Sequence, residues 1–506
     1  MTIKIRLAPP KAGAMMEALR GLGYSTAAAL ADIVDNSISA GATDVRIHFE
    51  WDGVASRVAV IDDGRGMDDA ELQNAMTLGV RNPLDERAPE DLGRFGMGLK
   101  TSSFSQCRRL TVASRREGQP VACLHWDLDE LAARTDQGWV MFEGAAPGSE
   151  DHVQAIHLLS RGTLVLWEKL DRVVTAGYTA DHFGDLVDGV EQWLAMVFQR
   201  LIEGPQPKFR LFLNDRRVEP WDPFMIGHPA KPWHSPVART ATASGVVEVQ
   251  CHVLPHKDRL LEAEFKRAGG PEGWTSQQGF YVYRNERLLL AGGWLGLGQG
   301  RAWNREESHR LARIRLDIPN TADAEWKIDI RKSSARPPVS LRPWLTKLAE
   351  DTRERARRVF AFRGAPTPGP GGVKVEQAWR VEHIKDGVRY RIDETHPAVT
   401  AVLEEACPRL PLVQAMLRVI EETVPVQRIW LDTAENRDTP KTGFSGEPPE
   451  SIRKVLVTLY RDMTGRRGMS PQAAVRVLSA TEPFQNYPTI VAALPDEVGG
   501  AGRESS

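Results

Sequence analysis

Three short blocks follow one another within 75 residues and limit what this chain can fold into more than any other feature. The first, ALADIVDNSISA, places Asp32 and Asn36 four residues apart, so one helix face presents a carboxylate and an amide together. The second, IDDGRGM, leaves an apolar strand through an acidic, glycine-rich turn. In the third, LGRFGMGLKTSS, Gly93, Gly96 and Gly98 precede a helix start. Glycines let a ligand approach the backbone closely, and successive N–H groups at a helix N-terminus form a nest for phosphate oxygens. Lys100 adds a point charge. A carboxylate, an amide, an acidic turn and a phosphate loop in this order point to a nucleotide with magnesium, whose hard oxygen ligands they supply. Each block alone has a plainer reading as a surface turn or a solvated helix face. GRFGMGLKT also falls short of a P-loop, because Leu99 separates Gly98 from Lys100 and a polar loop precedes it.

The surrounding pattern predicts a helix over 25–40, capped by Ser25 or Thr26, then strands Val45–Glu50 and Arg57–Asp62. A helix over 68–78, a polar loop over 79–93 and a further helix after Gly98 follow. Strands are expected at 109–114, 121–127 and Gly162–Trp167, and a long helix at 181–203. A second strand-rich region runs through FRLFLN, VVEVQCHVL, GFYVYRN and ARIRLDI to WKIDIRK. A basic helix around 340–362 leads to the linker APTPGPGG, beyond which 376–490 read as mostly helical and DEVGGAGRESS as a disordered tail.

The three blocks resemble those of the GHKL ATPases, the superfamily of gyrase, the heat-shock chaperone, histidine kinases and MutL. The first block is similar to the N box, IDDGRGM to the D-x-G-x-G box and GRFGMGLK to the second glycine box. RGTLVLW resembles the late G-T box, so the likeness covers roughly residues 20–170. It implies an α+β fold: an α/β-sandwich ATPase domain at 1–180, a mixed sheet with helices on one face and ATP under a mobile lid. A small α/β transducer with connecting helices would occupy 181–364, a linker 365–375, a helical C-terminal domain 376–490 and a tail 491–506.

Residue by residue, the resemblance makes Asn36 the Mg2+ ligand and Asp62 the acceptor of the adenine amino group. Gly64, Gly66 and Met67 would shape the adenine pocket, and Thr163 would support the base near Asp62. Gly93, Arg94, Phe95, Gly96, Met97, Gly98, Leu99 and Lys100 would bind phosphates, with 77–92 as the lid. Two positions depart from the family: the general base, normally Glu, is Asp32, and the last acid of the N box is Ser39. A base must reach its proton partner within about 2.6–3.2 Å or through one water, so the shorter arm makes ATP binding the firmer expectation and hydrolysis the weaker.

Only about 25 residues precede the first block, against the phospho-accepting hairpin of a histidine kinase, and no acidic DxD block follows the ATPase-like region to mark a gyrase-type nuclease domain. The second glycine box reads GLKTSS, which is similar to MORC proteins, and the following region suits the transducer of MutL-like and MORC-like ATPases. There a lysine from a loop meets the γ-phosphate; WKIDIRKSSARPP offers Lys332, with Lys327 as the alternate. YVYRNERLL and FRLFLNDRRVEPWDPF resemble bacterial MORC/MutL-like ATPases of restriction and phage-defence systems, including Mza-type ones. The implied protein is an ATP-dependent homodimeric clamp acting on DNA with partner nucleases or helicases, or else an ATP-binding sensor or scaffold with little turnover.

Composition narrows the setting. A net charge of −2 over 506 residues argues against wholesale coating of nucleic acid while leaving room for a local basic groove. Four scattered cysteines without a CxxC pair, and no apolar run of membrane length, lead to the expectation of a cytoplasmic protein.

Overall fold

The computed structural model describes residues 11–21, 23–80, 98–134, 139–322, 325–328, 335–361, 376–384, 387–405, 409–426, 429, 450–481 and 484–500. The chain divides into two units, Met1–Arg357 and Arg358–Ser506.

In the first unit, α1 (Ala12–Arg20) precedes α2 (Thr26–Ser39), whose N-cap Ser25 accepts a hydrogen bond from the Ala28 amide. Strands β1 (Asp44–Glu50) and β2 (Arg57–Asp62) pair antiparallel, and each buries alternate residues: Val45, Ile47 and Phe49 on one, Val58, Val60 and Asp62 on the other. Asp62 thus occupies an inward position of an otherwise apolar alternation. Helix α3 (Asp69–Met76) starts with a reciprocal cap between Asp68 and Glu71, and α4 (Gly98–Phe104) follows. The remaining elements of this layer are β3 (Arg109–Arg115), β4 (Ala122–Asp127), α5 (Leu128–Ala133), β5 (Phe142–Glu143) and β6 (Gly162–Glu168).

The sheet has eight strands in the order β5-β4-β3-β6-β2-β1-β7-β8, where β7 is Arg210–Leu213 and β8 is Arg216–Arg217. Pairing is antiparallel except between β1 and β7. These last two strands correct the sequence reading, which put FRLFLN in the second strand-rich region; they close one edge of the first sheet instead. The long helix expected over 181–203 is two helices, α6 (Ala180–Val197) and α7 (Gln199–Ile202). One face of the sheet carries the main core, in which Leu30, Val34, Val60, Phe104, Trp167 and Leu194 are buried. The other face is also covered: a 3-10 helix over Asp151–Leu158 packs Val153 and Ile156 on Ala113, Leu164 and Leu166.

The second sheet follows from β9 (Trp233–His234), β10 (Ala238–Thr242) and β11 (Gly245–Val253). After α8 (Glu262–Ala268) come β12 (Gly279–Arg284), β13 (Arg287–Ala291) and β14 (Ala312–Asp317), in the order β10-β11-β14-β12-β13 with β9 beside β11. WKIDIRK was expected as a strand; its described part, Trp326 to Ile328, is turn and irregular chain, and 329–332 lie outside the described residues. In α9 (Arg342–Ala361), Leu345, Ala349, Thr352 and Ala356 are buried at helical spacing. Its arginines do not form a uniformly solvated face: Arg353 lies 4.6 Å from the ring centres of both Trp294 and Trp303, and Arg355 lies 4.1 Å from Trp233.

The second unit opens with a hairpin, β15 (Trp379–Ile384) and β16 (Gly387–Ile392), at the start of the region that reads as mostly helical. Helices α10 (Pro397–Glu405), α11 (Leu410–Glu422) and Glu450–Arg461 follow, and a core of Leu456, Tyr460, Leu478, Tyr487 and Leu494 holds the later helices. The last helix continues to Gly500, into the stretch expected to be disordered. No helix among the described residues is long and apolar enough to cross a membrane.

Candidate functional site

The site forms where the end of β2 meets α2, β3 and β6. Strand register puts Asp62 opposite Thr163, and Thr163 opposite Ser114, so three polar residues align across adjacent strands. The Asp62 carboxylate accepts the Ser37 hydroxyl at 2.7 Å and the Gly64 amide at 2.9 Å. Burial pushes its pKa up to about 6, against the lowering effect of the Ser37, Gly64 and Thr163 donors. Ser114 Oγ lies 2.9 Å from Thr163 Oγ1, donates to the Gly162 carbonyl at 3.0 Å and accepts the Met67 amide at 2.9 Å. One network therefore joins the acidic turn, the N-box helix and the G-T strand.

The turn after Asp62 is tight at its two glycines. Gly66 has φ +66°, and a Cβ there would lie 1.8 Å from the Arg115 carbonyl oxygen. A Cβ on Gly64 would come within 2.9 Å of both Ala40 Cβ and Asp62 Oδ1.

Helix α2 presents two sides. Asn36 is exposed, whereas Asp32, Asp35 and Ser37 are buried. Asp32 Oδ2 accepts the Tyr24 hydroxyl at 3.1 Å, and its Oδ1 lies 3.9 Å from Arg287 Nη2. Arg287 belongs to β13 of the second sheet and also pairs with Asp35, at 3.1 Å. Lys100, expected beside phosphates, donates from Nζ to the Ala75 carbonyl of α3 at 2.8 Å, the direction in which a helix C-terminus attracts a cation.

Asp32, Asn36, Asp62, Gly64, Gly66, Met67 and Thr163 are thus gathered around α2 and the strand ends, with Gly98, Leu99 and Lys100 opening α4. Gly93, Arg94, Phe95, Gly96 and Met97, the lid from residue 81 onward and Lys332 lie outside the described residues. Lys327 is exposed, in a turn with φ 49°. The sequence reading missed Ser37, Ser114, Tyr24, Asp35 and Arg287. Asp35 and Ser37 lie in the first block, ALADIVDNSISA, and Arg287 in the YVYRNERLL segment singled out for its resemblance, whereas Tyr24 and Ser114 carried no signal.

Comparison with known proteins decides the family of this region. Residues 24–158 match the model of the histidine kinase-, DNA gyrase B- and HSP90-like ATPases. Residues 24–158 are a GHKL ATPase domain. Similar proteins include the DNA mismatch repair protein MutL of Sphingopyxis alaskensis, 34% identical over 137 residues, which are 27% of this chain and 21% of that protein. MutL of Rhodospirillum rubrum is 35% identical over 121 residues, 22% of this chain and 18% of the relative. The ATPase morc-1 of Caenorhabditis elegans is 32% identical over 96 residues, 19% of this chain and 11% of the relative. The chain therefore spans about a fifth or less of the length of these curated relatives.

The GHKL site has the donor chemistry for a magnesium ion carried by a nucleotide. Among the described residues no group of three or more His, Cys, Asp or Glu could hold a metal alone. Mg2+ typically takes one or two protein oxygens together with phosphates and waters, and the exposed Asn36 amide fits that pattern.

Proposed function

We propose that the GHKL domain binds Mg-ATP and hydrolyses it to ADP and phosphate, using the energy for a MORC/MutL-like conformational cycle. The observation that carries the reading is Asp62, a buried carboxylate fixed by Ser37 and Gly64 beside a turn whose Gly64 and Gly66 are closely approached by other atoms. With a pKa of about 6 it is mostly ionised at neutral pH and can accept the adenine amino group. Asn36 holds Mg2+, which neutralises developing phosphate charge when bound. Gly93 to Lys100 bind the phosphates, Asp32 takes the proton of the attacking water, and a lysine of the second sheet region, Lys332 or else Lys327, meets the γ-phosphate.

In this reading ATP closes two copies of the chain into a homodimeric clamp. The MutL relatives are DNA mismatch repair proteins, which supports DNA as what it encloses. Partner nucleases or helicases in bacterial defence are the matching effectors, and the protein works in the cytoplasm. Light scattering with Mg-AMPPNP should show a mass twofold higher than without nucleotide, and a thermal shift on Mg-AMPPNP should accompany it. Absence of any nucleotide-dependent thermal shift overturns the reading.

A second reading has its own support. Asp32 is one methylene short, and its carboxylate faces Tyr24 and Arg287. A chain built this way can serve as an ATP-binding sensor or scaffold that recruits effectors while turning over little. Phosphate release, compared between wild type and Asp32 variants, separates the two.

A further inference from the structure

Asp32 and Asp35 lie one helical turn apart on α2, and both are buried. Two carboxylates in a region of low dielectric repel each other and need a cation between them. That cation comes from the other sheet. Arg287 opens β13 directly after the turn Asn285-Glu286, where both residues have positive φ, 48° and 66°, so the hairpin projects the arginine from its tip. Its side chain is 5% exposed.

Every guanidinium nitrogen is engaged. Nε lies 3.2 Å from each Asp35 oxygen, Nη2 lies 3.1 Å from Asp35 Oδ2 and 3.9 Å from Asp32 Oδ1, and Nη1 donates to the Leu288 carbonyl at 2.7 Å. The planar fork is thus anchored by Asp35 and by its own strand, and presents its remaining edge to Asp32. Tyr24 holds the opposite oxygen of Asp32. Asp32 is therefore held between a hydroxyl from the chain before α2 and a guanidinium from the second sheet.

We propose that Arg287 is a positioning residue through which the second sheet sets the place of the hydrolytic carboxylate. This rests on Asp32 being the general base of the proposed ATPase. Asp35 is the anchor of the arginine, and Asp32 is the group it acts on. A shift of the β12–β13 hairpin against α2 moves the guanidinium relative to Asp32, so turnover depends on the second sheet being seated. Lysine cannot replace the fork, because a single ammonium cannot serve Asp35, Leu288 and Asp32 together.

The test compares Arg287→Met, Arg287→Lys and Asp35→Asn in the full chain, reading kcat for ATP, the Kd for Mg-AMPPNP and the melting temperature. Arg287→Met and Asp35→Asn both remove the same ion pair, so both should melt earlier. Only Arg287→Met should lose kcat by tenfold or more, with Kd changed less than threefold. Asp35→Asn loses the charge but keeps an amide oxygen that accepts from the guanidinium and still anchors it beside Asp32, so it should retain at least a third of the wild-type kcat. Arg287→Lys, which keeps charge without the fork, should fall between. If Arg287→Met does not fold, Arg287→Met with Asp35→Asn removes both charges and should fold with the same loss of kcat. Equal kcat losses in Arg287→Met and Asp35→Asn, parallel losses of kcat and affinity, or wild-type turnover in Arg287→Met each overturn the inference. A wild type that binds Mg-AMPPNP but releases phosphate no faster than Asp32→Asn is a separate outcome. It overturns the hydrolytic reading, and the inference with it.

Discussion

Ser37 and Asp62 are 25 residues apart in sequence, and the hydroxyl of one donates to the buried carboxylate of the other at 2.7 Å. The bond ties the N-box helix to the end of β2, and it works against the burial that raises the acid to about 6. The sign for stability follows. A carboxyl whose folded pKa exceeds its unfolded value near 3.8 binds more protons folded than unfolded between those values. Its stabilising contribution is full below pH 4 and is lost as pH rises through about 6, a change of roughly 3 kcal/mol for a shift of this size. Asp62→Asn, which cannot ionise, should therefore gain stability relative to wild type as pH goes from 5 to 7 in urea denaturation without nucleotide. The same variant should lose its Mg-AMPPNP thermal shift. A stability difference that stays flat with pH would contradict burial as the cause.

The acidic turn makes a graded steric prediction. Gly66→Ala forces a Cβ to 1.8 Å from the Arg115 carbonyl oxygen at φ +66°, so backbone must move. The loss should be on the order of 4 kcal/mol or more, read as insoluble expression or a collapsed denaturation midpoint. Gly64→Ala meets Ala40 Cβ and Asp62 Oδ1 at 2.9 Å, at a backbone conformation without positive φ. It should fold at a cost of about 1–3 kcal/mol, and it should weaken nucleotide binding because the displaced atom belongs to Asp62.

Asp127 gives a prediction of opposite pH sign. It accepts from Arg109 Nε at 2.8 Å and from Lys169 Nζ at 2.9 Å while its own side chain is 3% exposed. Burial raises its pKa, but the Lys169 and Arg109 donors outweigh that and hold it below the ordinary carboxylate value. Stability from this group is present above the unfolded Asp range and is lost as pH falls through the lower folded pKa. Asp127→Asn should destabilise by about 2 kcal/mol at pH 7, less than a fully buried pair because Lys169 is a third exposed. The gap between variant and wild type should close in acid denaturation monitored by circular dichroism.

These residues differ in how far the sequence exposes them. Asp62, Gly64 and Gly66 are legible because a strand ending in an acidic glycine turn interrupts a period-two pattern, and Ser25 is legible because caps are local. Ser114 is an ordinary strand serine whose role comes only from register across β3 and β6, which local pattern does not encode. Arg287 becomes functional through a contact spanning 252 residues. Strand β7 reads as a strand from its own residues, but nothing local tells which sheet it joins; β1 offers it a parallel edge. The hairpin of β15 and β16 is not legible in the sequence because the helical periodicity that follows it dominates the region. Its strands do contain the alternating Val381, His383 and Tyr390 expected of a strand pair.

The methylene missing from Asp32 gives the last prediction. In the proposed ATPase the attacking water gives up its proton within hydrogen-bond reach of this carboxylate, whose two oxygens face Tyr24 at 3.1 Å and Arg287 at 3.9 Å. Asp32→Asn keeps the size and removes the base, so phosphate release should fall about 100-fold while the Mg-AMPPNP thermal shift is kept. Asp32→Glu extends the arm by about 1.5 Å, one carbon–carbon bond. In an ATPase adapted to the short arm, Asp32→Glu should change turnover by less than tenfold in either direction. In a sensor held near zero turnover, wild type should equal Asp32→Asn and Asp32→Glu should rise at least tenfold above both. Phosphate release from the three proteins at saturating Mg-ATP therefore decides which reading holds, and the thermal shift shows that all three still bind.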